Sequence, residues 1–145
     1  VSSIDDMAKG SFQEVIDDAS ATAKNVDTVV FCTGKFYYDL LAKQEELGGA
    51  DNLAIVRVEQ LYPLPQKQLD TITLKYKNAK NYIWAQEEPE NMGAWSHMLR
   101  HFTSVKLTSV TLAESGAPAT GSSKAHAHRH NDIINRVFKY SLVTN

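Results

Sequence analysis

The segment Thr28–Val58 reads TVVFCTGKFYYDLLAKQEELGGADNLAIVRV and decides the fold. Its two ends, Thr28–Cys32 and Leu53–Val58, are almost continuously apolar, which is typical of strands covered on both faces. Between them, apolar residues recur at helical spacing after Gly34 and stop at a pair of glycines, a common helix end. The helical face consists of Tyr37, Leu40, Leu41 and Leu47. This order of strand, helix and strand predicts a right-handed crossover between two parallel strands.

The same alternation continues toward the C-terminus. Short apolar runs at Asn81–Gln86 and Ser109–Ala113 predict two more strands. Three further segments have helical spacing, with apolar faces formed by Leu69, Ile72 and Tyr76; by Trp95, Met98, Leu99 and Phe102; and, from about Ser123 to Tyr140, by Ile133, Ile134, Val137 and Phe138. Repeated strand–helix units predict an α/β fold, with helices on both sides of a mostly parallel sheet.

The N-terminal segment predicts an added edge strand at Phe12–Ile16, because alternate side chains there would share one face of a strand. A capped helical turn beginning at Ser3 is also predicted. The chain begins with Val1 instead of Met, which suggests a processed chain or a piece excised from a longer one.

Length and composition limit the classes of protein. A chain of 145 residues corresponds to one domain, since domains usually hold roughly 100–200 residues. The net charge of −2 disfavours nucleic acid as a partner, and no apolar run approaches the ~20 residues that span a membrane. The single cysteine, Cys32, lies in an apolar run, so we expect a buried, inert thiol and a reducing compartment.

Ligands of open parallel sheets bind at the carboxyl ends of the strands, where this chain carries several acidic side chains. Glu59, Glu87 and Glu88 are candidates for a general acid and base, but we expect them to cap helices, to lie at positive helix N-termini or to pair with a neighbouring subunit. The turn after the first strand has one glycine, so a dinucleotide fingerprint is absent. Ser115, Ser122 and Ser123 lack the sequence context of a hydrolase nucleophile.

Two histidine pairs have the spacing that places both rings on one helix face. His126 and His130 are four residues apart, but the sequence shows no spaced cysteine or acidic third ligand, so the predicted metal site is incomplete and we expect no metal. His97 and His101 repeat the spacing, and we expect partly buried, hydrogen-bonded rings.

Arg57 is unusual, because it lies within an apolar strand and its guanidinium is always charged. A neighbouring carboxylate such as Glu59 or Glu87 is the expected partner, and an anionic ligand is the alternative. Nearby, the large rigid side chains of Tyr62, Trp84 and Trp95 are more typical of a core or an obligate interface than of a cofactor site.

Three motifs carry a resemblance to a known family. They are Gly34-Lys-Phe-Tyr-Tyr-Asp-Leu, Val58-Glu-Gln-Leu-Tyr-Pro-Leu-Pro and Trp84-Ala-Gln-Glu-Glu-Pro-Glu-Asn-Met-Gly-Ala-Trp. Together they resemble the C-terminal domain of the decarboxylating first component of 2-oxoglutarate dehydrogenase, over nearly the whole chain. The resemblance implies a transketolase C-terminal-like fold: a three-layer α/β/α domain around a mixed, mostly parallel, five-stranded sheet.

The resemblance also implies a function that needs more than this chain. In the family, the full enzyme binds thiamine diphosphate and magnesium in two preceding domains and decarboxylates 2-oxoglutarate. It then passes the succinyl group to a lipoyl carrier on the dihydrolipoyl succinyltransferase component of the citric acid cycle complex. This chain would be an assembly and regulatory domain in contact with those other domains and a homodimer partner. We expect it to bind no cofactor, hold no catalytic residue and be inactive alone.

Some members of the family are regulated by an adenine nucleotide or acetyl-CoA bound at this domain. The residues that resemble the effector site are Arg57 and Lys80, which we expect on neighbouring strands but at opposite ends, in contact with different parts of an extended ligand. One departure concerns the stretch before Pro118-Ala-Thr-Gly. Relatives commonly carry an arginine there, and this chain does not.

Two alternatives stay open. Beside the 2-oxoglutarate dehydrogenase reading, the chain could be a free-standing doubly wound module that binds a small molecule at the strand ends, or the equivalent domain of a pyruvate dehydrogenase or a transketolase. For the 2-oxoglutarate dehydrogenase reading, bacterial cytoplasm is favoured over the mitochondrial matrix.

Overall fold

The computed structural model describes residues 11–117 and 121–142, with only the backbone described at 141 and 142. Strands and helices alternate along most of the described chain. The elements are β1 (Val15–Ile16), β2 (Thr28–Cys32), α1 (Phe36–Glu46), β3 (Leu53–Val58), α2 (Gln66–Lys75), β4 (Asn81–Pro89), α3 (Trp95–His101), β5 (Thr108–Leu112) and α4 (Ser123–Leu142). None of the described helices is long and apolar enough to span a bilayer. The helical turn predicted at Ser3 lies outside the described residues.

One five-stranded sheet organises the domain, with the strand order β1-β3-β2-β4-β5. β1 pairs antiparallel with β3, whereas β2, β3, β4 and β5 pair in parallel with their neighbours. The central strand β2 is buried at every position, as its apolar sequence predicts. The predicted mixed, mostly parallel sheet is therefore confirmed.

Two apolar cores lie on opposite faces of the sheet because the side chains of each strand alternate. One core joins the sheet to α2 and α3, through residues that include Val29, Phe31, Val56, Leu69, Tyr76, Trp84 and Met98. The other core joins it to α1 and α4, through residues that include Val30, Ile55, Phe36, Leu40, Ile83, Ile133 and Val137. The fold is thus the three-layer α/β/α arrangement that the sequence predicts.

The edge strand is shorter than predicted, because pairing is confined to Val15 and Ile16. Beyond them the chain turns, and the carboxylate of Asp18 replaces the sheet partner that β3 would otherwise lack. Oδ2 of Asp18 accepts the buried backbone N–H of Ile55 at 3.0 Å, while Oδ1 accepts those of Ser20 and Ala21. A side chain therefore satisfies the edge of β3 where the backbone of β1 has left it.

Other boundaries differ by a few residues. β4 continues to Pro89, three residues past its predicted end, and α4 continues to Leu142. The extension of β4 is accompanied by a register shift against β5 between Ala85 and Pro89. Charged residues in that extension gave no apolar signal, which is why the sequence pattern missed it.

Replacing Asp18 by alanine should lower the free energy of unfolding by about 2–3 kcal/mol, because the buried N–H of Ile55 loses its acceptor. Urea denaturation would measure the loss. Asp51→Ala, at an exposed carboxylate, is the matched control and should change stability by less than about 0.5 kcal/mol. Equal losses in the two variants would contradict this account of the sheet edge.

Candidate functional site

The carboxyl ends of β2, β3 and β4 meet at one edge of the sheet. Cys32 is paired with Arg57 of β3, and Phe31 is paired with Trp84 of β4. The loops that follow these strands therefore emerge side by side, with α1 beginning directly after β2. This edge carries Arg57, Glu59 and Glu87, as expected for ligand-binding candidates in a parallel sheet.

Arg57 is held by partners from its own chain. Its Nε lies 2.9 Å from Oε1 of Glu59, which confirms the expected carboxylate partner. Its Nη1 donates a hydrogen bond of 2.7 Å to the hydroxyl of Tyr38, and the guanidinium carbon lies 5.2 Å from the ring centroid of Tyr37. With 13% of its side chain exposed, Arg57 is a largely enclosed cation beside two aromatic rings.

Lys80 lies far from Arg57. It is exposed, and its backbone N–H donates to the carbonyl of Asp27 at the amino end of β2. Arg57 is level with Cys32 in the sheet, so the backbone positions of Arg57 and Lys80 are offset by about 16 Å along the strand direction, at roughly 3.3 Å per residue. The prediction that Arg57 and Lys80 lie on neighbouring strands is wrong, because β2 lies between β3 and β4. The prediction that they lie at opposite ends of the sheet is confirmed.

Cys32 is fully buried, as predicted. Burial raises the pKa of its thiol strongly, and the nearby charge of Arg57 only partly opposes that effect. Its Sγ contacts the carbonyl oxygen of Val56 at 3.8 Å. The thiol is therefore protonated and inaccessible at neutral pH, and it is unsuited to nucleophilic chemistry.

The motif Trp84–Trp95 is organised around the buried amide of Gln86. Oε1 of Gln86 accepts hydrogen bonds from the indole N–H of Trp84 and the backbone N–H of Trp95, each at 2.9 Å. Its Nε2 donates to the carbonyl oxygens of Pro89 and Met92. Gly93 has a φ of +63°, and a Cβ there would lie 3.0 Å from the Gln86 amide. The motif thus shapes the connection between β4 and α3.

Asn91, in the same motif, fixes the loop that follows β5. Its Nδ2 donates to the carbonyl of Ser115 at 3.0 Å, and its Oδ1 accepts the backbone N–H of Ser115 at 3.1 Å. The hydroxyl of Ser115 donates to the carbonyl of Ala117. This arrangement is a structural clamp on the loop that contains Ser115. Ser123 is the first residue of α4.

A cluster of one imidazole and two carboxylates lies beside this edge. Nδ1 of His130 is 2.9 Å from Oε1 of Glu87, and Nε2 of His130 is 3.5 Å from Oδ2 of Asp39. Nζ of Lys35 lies 3.3 Å from Glu87 and 3.5 Å from Asp39. Glu87 is thus paired with Lys35 and His130 of its own chain, whereas the carboxylate beside Arg57 is Glu59. Asp39 was not among the predicted site residues, because nothing in the sequence brings α1 and α4 together.

The second histidine pair has a different environment. Nε2 of His97 lies 2.7 Å from the carbonyl of Leu61, and the rings of His97 and His101 are 4.5 Å apart. His97 is partly buried, as predicted, but the prediction is wrong for His101, which is exposed at the end of a short helix.

Next to Leu61, Tyr62 is 86% exposed and precedes a cis peptide bond with Pro63.

Comparison with protein families identifies relatives of this chain. The model described as 2-oxoglutarate dehydrogenase C-terminal matches residues 1–138. The 2-oxoadipate dehydrogenase complex component E1 of Homo sapiens is 42% identical over 143 residues, which are 95% of this chain and 16% of that protein. The 2-oxoglutarate dehydrogenase E1 component of Azotobacter vinelandii is 39% identical over 147 residues, again 95% of this chain and 16% of that protein.

Comparison with solved structures supports the fold. An inactive tetrameric split-gene transketolase matches with a TM-score of 0.55 at 15% identity, over 82% of this chain and 40% of the transketolase chain. At this identity the likeness shows the architecture alone.

Gln86→Leu should lower the free energy of unfolding by about 3 kcal/mol, because the N–H groups of Trp84 and Trp95 lose a buried acceptor. Chemical denaturation followed by tryptophan fluorescence measures the effect. Gln68→Leu, on the exposed face of α2, is the control and should stay within about 0.5 kcal/mol of the parent. A Gln86 variant as stable as this control would contradict the structural role of the motif.

Proposed function

Because this chain belongs to the 2-oxoglutarate dehydrogenase C-terminal family, we propose that it is the C-terminal domain of the first component of a 2-oxoacid dehydrogenase complex. The observation that carries the proposal is the family match over residues 1–138, together with relatives about 40% identical over 95% of the chain. The chain spans 16% of the length of those relatives. The activity belongs to the complete enzyme, in which this domain supports assembly.

The roles of the motif residues support an assembly function. Gln86 shapes the β4–α3 connection, Asn91 clamps the loop after β5, and Arg57 is paired with Glu59. Each of these side chains bonds to a separate group within the fold, and the three do not converge on one open reaction centre. In the described part of the chain, the carboxyl edge carries no glycine-rich phosphate loop. The cofactor and its magnesium are assigned to other domains of the complete enzyme.

The proposed substrate of the complete enzyme is 2-oxoglutarate, with transfer of the succinyl group to the lipoyl carrier of a dihydrolipoyl succinyltransferase. A second candidate is 2-oxoadipate, since the human, mouse and rat relatives named for it are 41–42% identical, against 39% for the Azotobacter vinelandii protein named for 2-oxoglutarate. Location in bacterial cytoplasm stays a prediction.

Homodimer formation is part of the proposal. Tyr62 is 86% exposed and Leu99 is 59% exposed, and both are apolar enough to favour burial against a partner. The two segments that carry them are joined by the contact between His97 and the carbonyl of Leu61. An interface that uses both would cover side chains that are otherwise left in water.

The effector role of Arg57 and Lys80 also stays a proposal. Arg57 supports it, because an enclosed guanidinium beside Tyr37 and Tyr38 joins a phosphate-binding group to rings on which a purine can stack. Lys80 lies at the opposite end of the sheet, so a ligand in contact with both residues must be extended. An extended ligand favours acetyl-CoA over AMP as a molecule that contacts both residues.

The complete enzyme that carries this domain should release CO2 from 2-oxoglutarate with thiamine diphosphate and magnesium, and the chain alone should release none. Parallel assays with 2-oxoadipate and pyruvate decide the substrate. Turnover by the isolated chain, or a complete enzyme selective for pyruvate, would contradict the proposal.

Calorimetric titration of acetyl-CoA and AMP into the complete enzyme tests the effector site. Arg57→Lys keeps the charge but loses the planar fork, and should raise the dissociation constant about tenfold, the equivalent of one charged hydrogen bond. Lys80→Ala should weaken the binding of acetyl-CoA more than the binding of AMP. Lys77→Ala, another exposed lysine near β4, is the control. Absence of heat with both ligands would remove Arg57 and Lys80 from the site.

A further inference from the structure

Three separate elements bring metal-ligating side chains to one place. Asp39 comes from α1, Glu87 from the end of β4 and His130 from α4. One ligand atom of each residue lies within 4.8 Å of the others. The sequence predicted an incomplete histidine pair without an acidic ligand, and the fold supplies two carboxylates from distant parts of the chain.

We propose that Asp39, Glu87, His130 and His126 form a binding site for a divalent transition-metal ion, with Zn²⁺ as the preferred ion. Imidazole nitrogen and carboxylate oxygen are both established zinc ligands, and four of them complete a tetrahedral shell. A site made of carboxylates alone would suit Mg²⁺ or Ca²⁺, whereas the imidazoles select borderline-soft metals. The proposal does not depend on the proposed function of the complete enzyme.

The state of the His130 ring supports this inference. Its Nδ1 is closed to solvent and makes no hydrogen bond of good geometry, although it lies 2.9 Å from Oε1 of Glu87. A metal ion bound by this nitrogen and by Glu87 would supply the well-directed partner that the nitrogen lacks. The ring itself is oriented by an edge contact with the buried Phe36, at 5.7 Å between centroids.

His126 completes the set from the preceding helical turn. Its ring is stacked with that of His130 at 6.2 Å between centroids, so both imidazoles occupy the same side of α4. His126 is exposed, and a change of its rotamer is the movement that the fourth ligand requires. A groove of about 520 Å³ between α1 and α4, lined by Asp39 and His130, gives a hydrated ion access from solvent.

Lys35 indicates that the cluster attracts cations. Its ammonium lies 3.3 Å from Glu87 and 3.5 Å from Asp39, between the two proposed carboxylate ligands. The side chain is 73% exposed, so it can move into solvent when another cation arrives. A dication would interact with the same two carboxylates more strongly than the single charge of Lys35 does.

The metal would connect α4 to the rest of the domain. Two of its ligands belong to the first half of α4, and the other two belong to α1 and β4, which α4 otherwise contacts through apolar side chains. Because the ligands must be deprotonated, the affinity should fall on acidification. Binding should also raise the thermal stability of the chain, since the unfolded state does not hold this geometry.

Zinc titration of the chelator-treated chain by calorimetry tests the site. One ion per chain is expected, and His130→Ala or Asp39→Asn should weaken binding at least about tenfold. His101→Ala is the matched control, because it removes a histidine from the other pair of the same spacing, in a helix end without this acidic cluster. The His101 variant should bind as the parent does. Circular dichroism verifies that each variant is folded.

Two further measurements separate a metal site from a network of ion pairs. Lys35→Met should tighten zinc binding, because the competing ammonium is gone, and the Co²⁺ complex should show the intense visible absorption of tetrahedral coordination. A parent chain that binds no Zn²⁺ would overturn the proposal and leave the cluster as ion pairs only. Equal affinity in the parent and folded His130→Ala, or equal losses in the His130 and His101 variants, would overturn it as well.

Discussion

The rest of the structure depends on the burial of one strand. β2 is covered on both faces and paired on both edges, and no residue from Thr28 to Cys32 is open to solvent. Full burial of a large apolar side chain stabilises a fold by roughly 1.5–3 kcal/mol, so this short strand is a major source of stability. Its parallel neighbours on either side determine which loops meet at the carboxyl edge. The positions of Arg57, Glu87 and the start of α1 follow from that pairing.

A core built in this way leaves little water for polar groups, and several buried polar side chains of the described chain have protein partners. Asp18 supplies the acceptor for an N–H of β3, and Gln86 supplies an acceptor and a donor within the β4–α3 connection. Arg57 is neutralised by Glu59 and bonded to Tyr38. An unpaired polar group in these places would cost about 1–3 kcal/mol. This requirement explains why distinctive motif residues such as Gln86 have structural roles.

Local sequence patterns predicted the existence and type of the strands and helices better than their first and last residues. Apolar runs and helical spacing identified β2, β3 and the helical faces, because those patterns arise within a single element. They missed the end of β4, where charged residues continue the strand, and they overestimated β1, where the carboxylate of Asp18 replaces backbone pairing. The pairing of Arg57 with Glu59 was predictable, since both lie at the end of one strand, two residues apart.

By itself the sequence determined the α/β class, the buried central strand, the inert thiol of Cys32 and, through its motifs, the family. Only the tertiary structure decided strand order, which separates Arg57 from Lys80 by placing β2 between their strands. The tertiary structure also brings Asp39, Glu87 and His130 together, although these residues are up to ninety-one positions apart in the chain. The physical reason is that periodicity records how one element faces the core, whereas contacts between elements depend on crossover order and helix packing, which no local pattern contains.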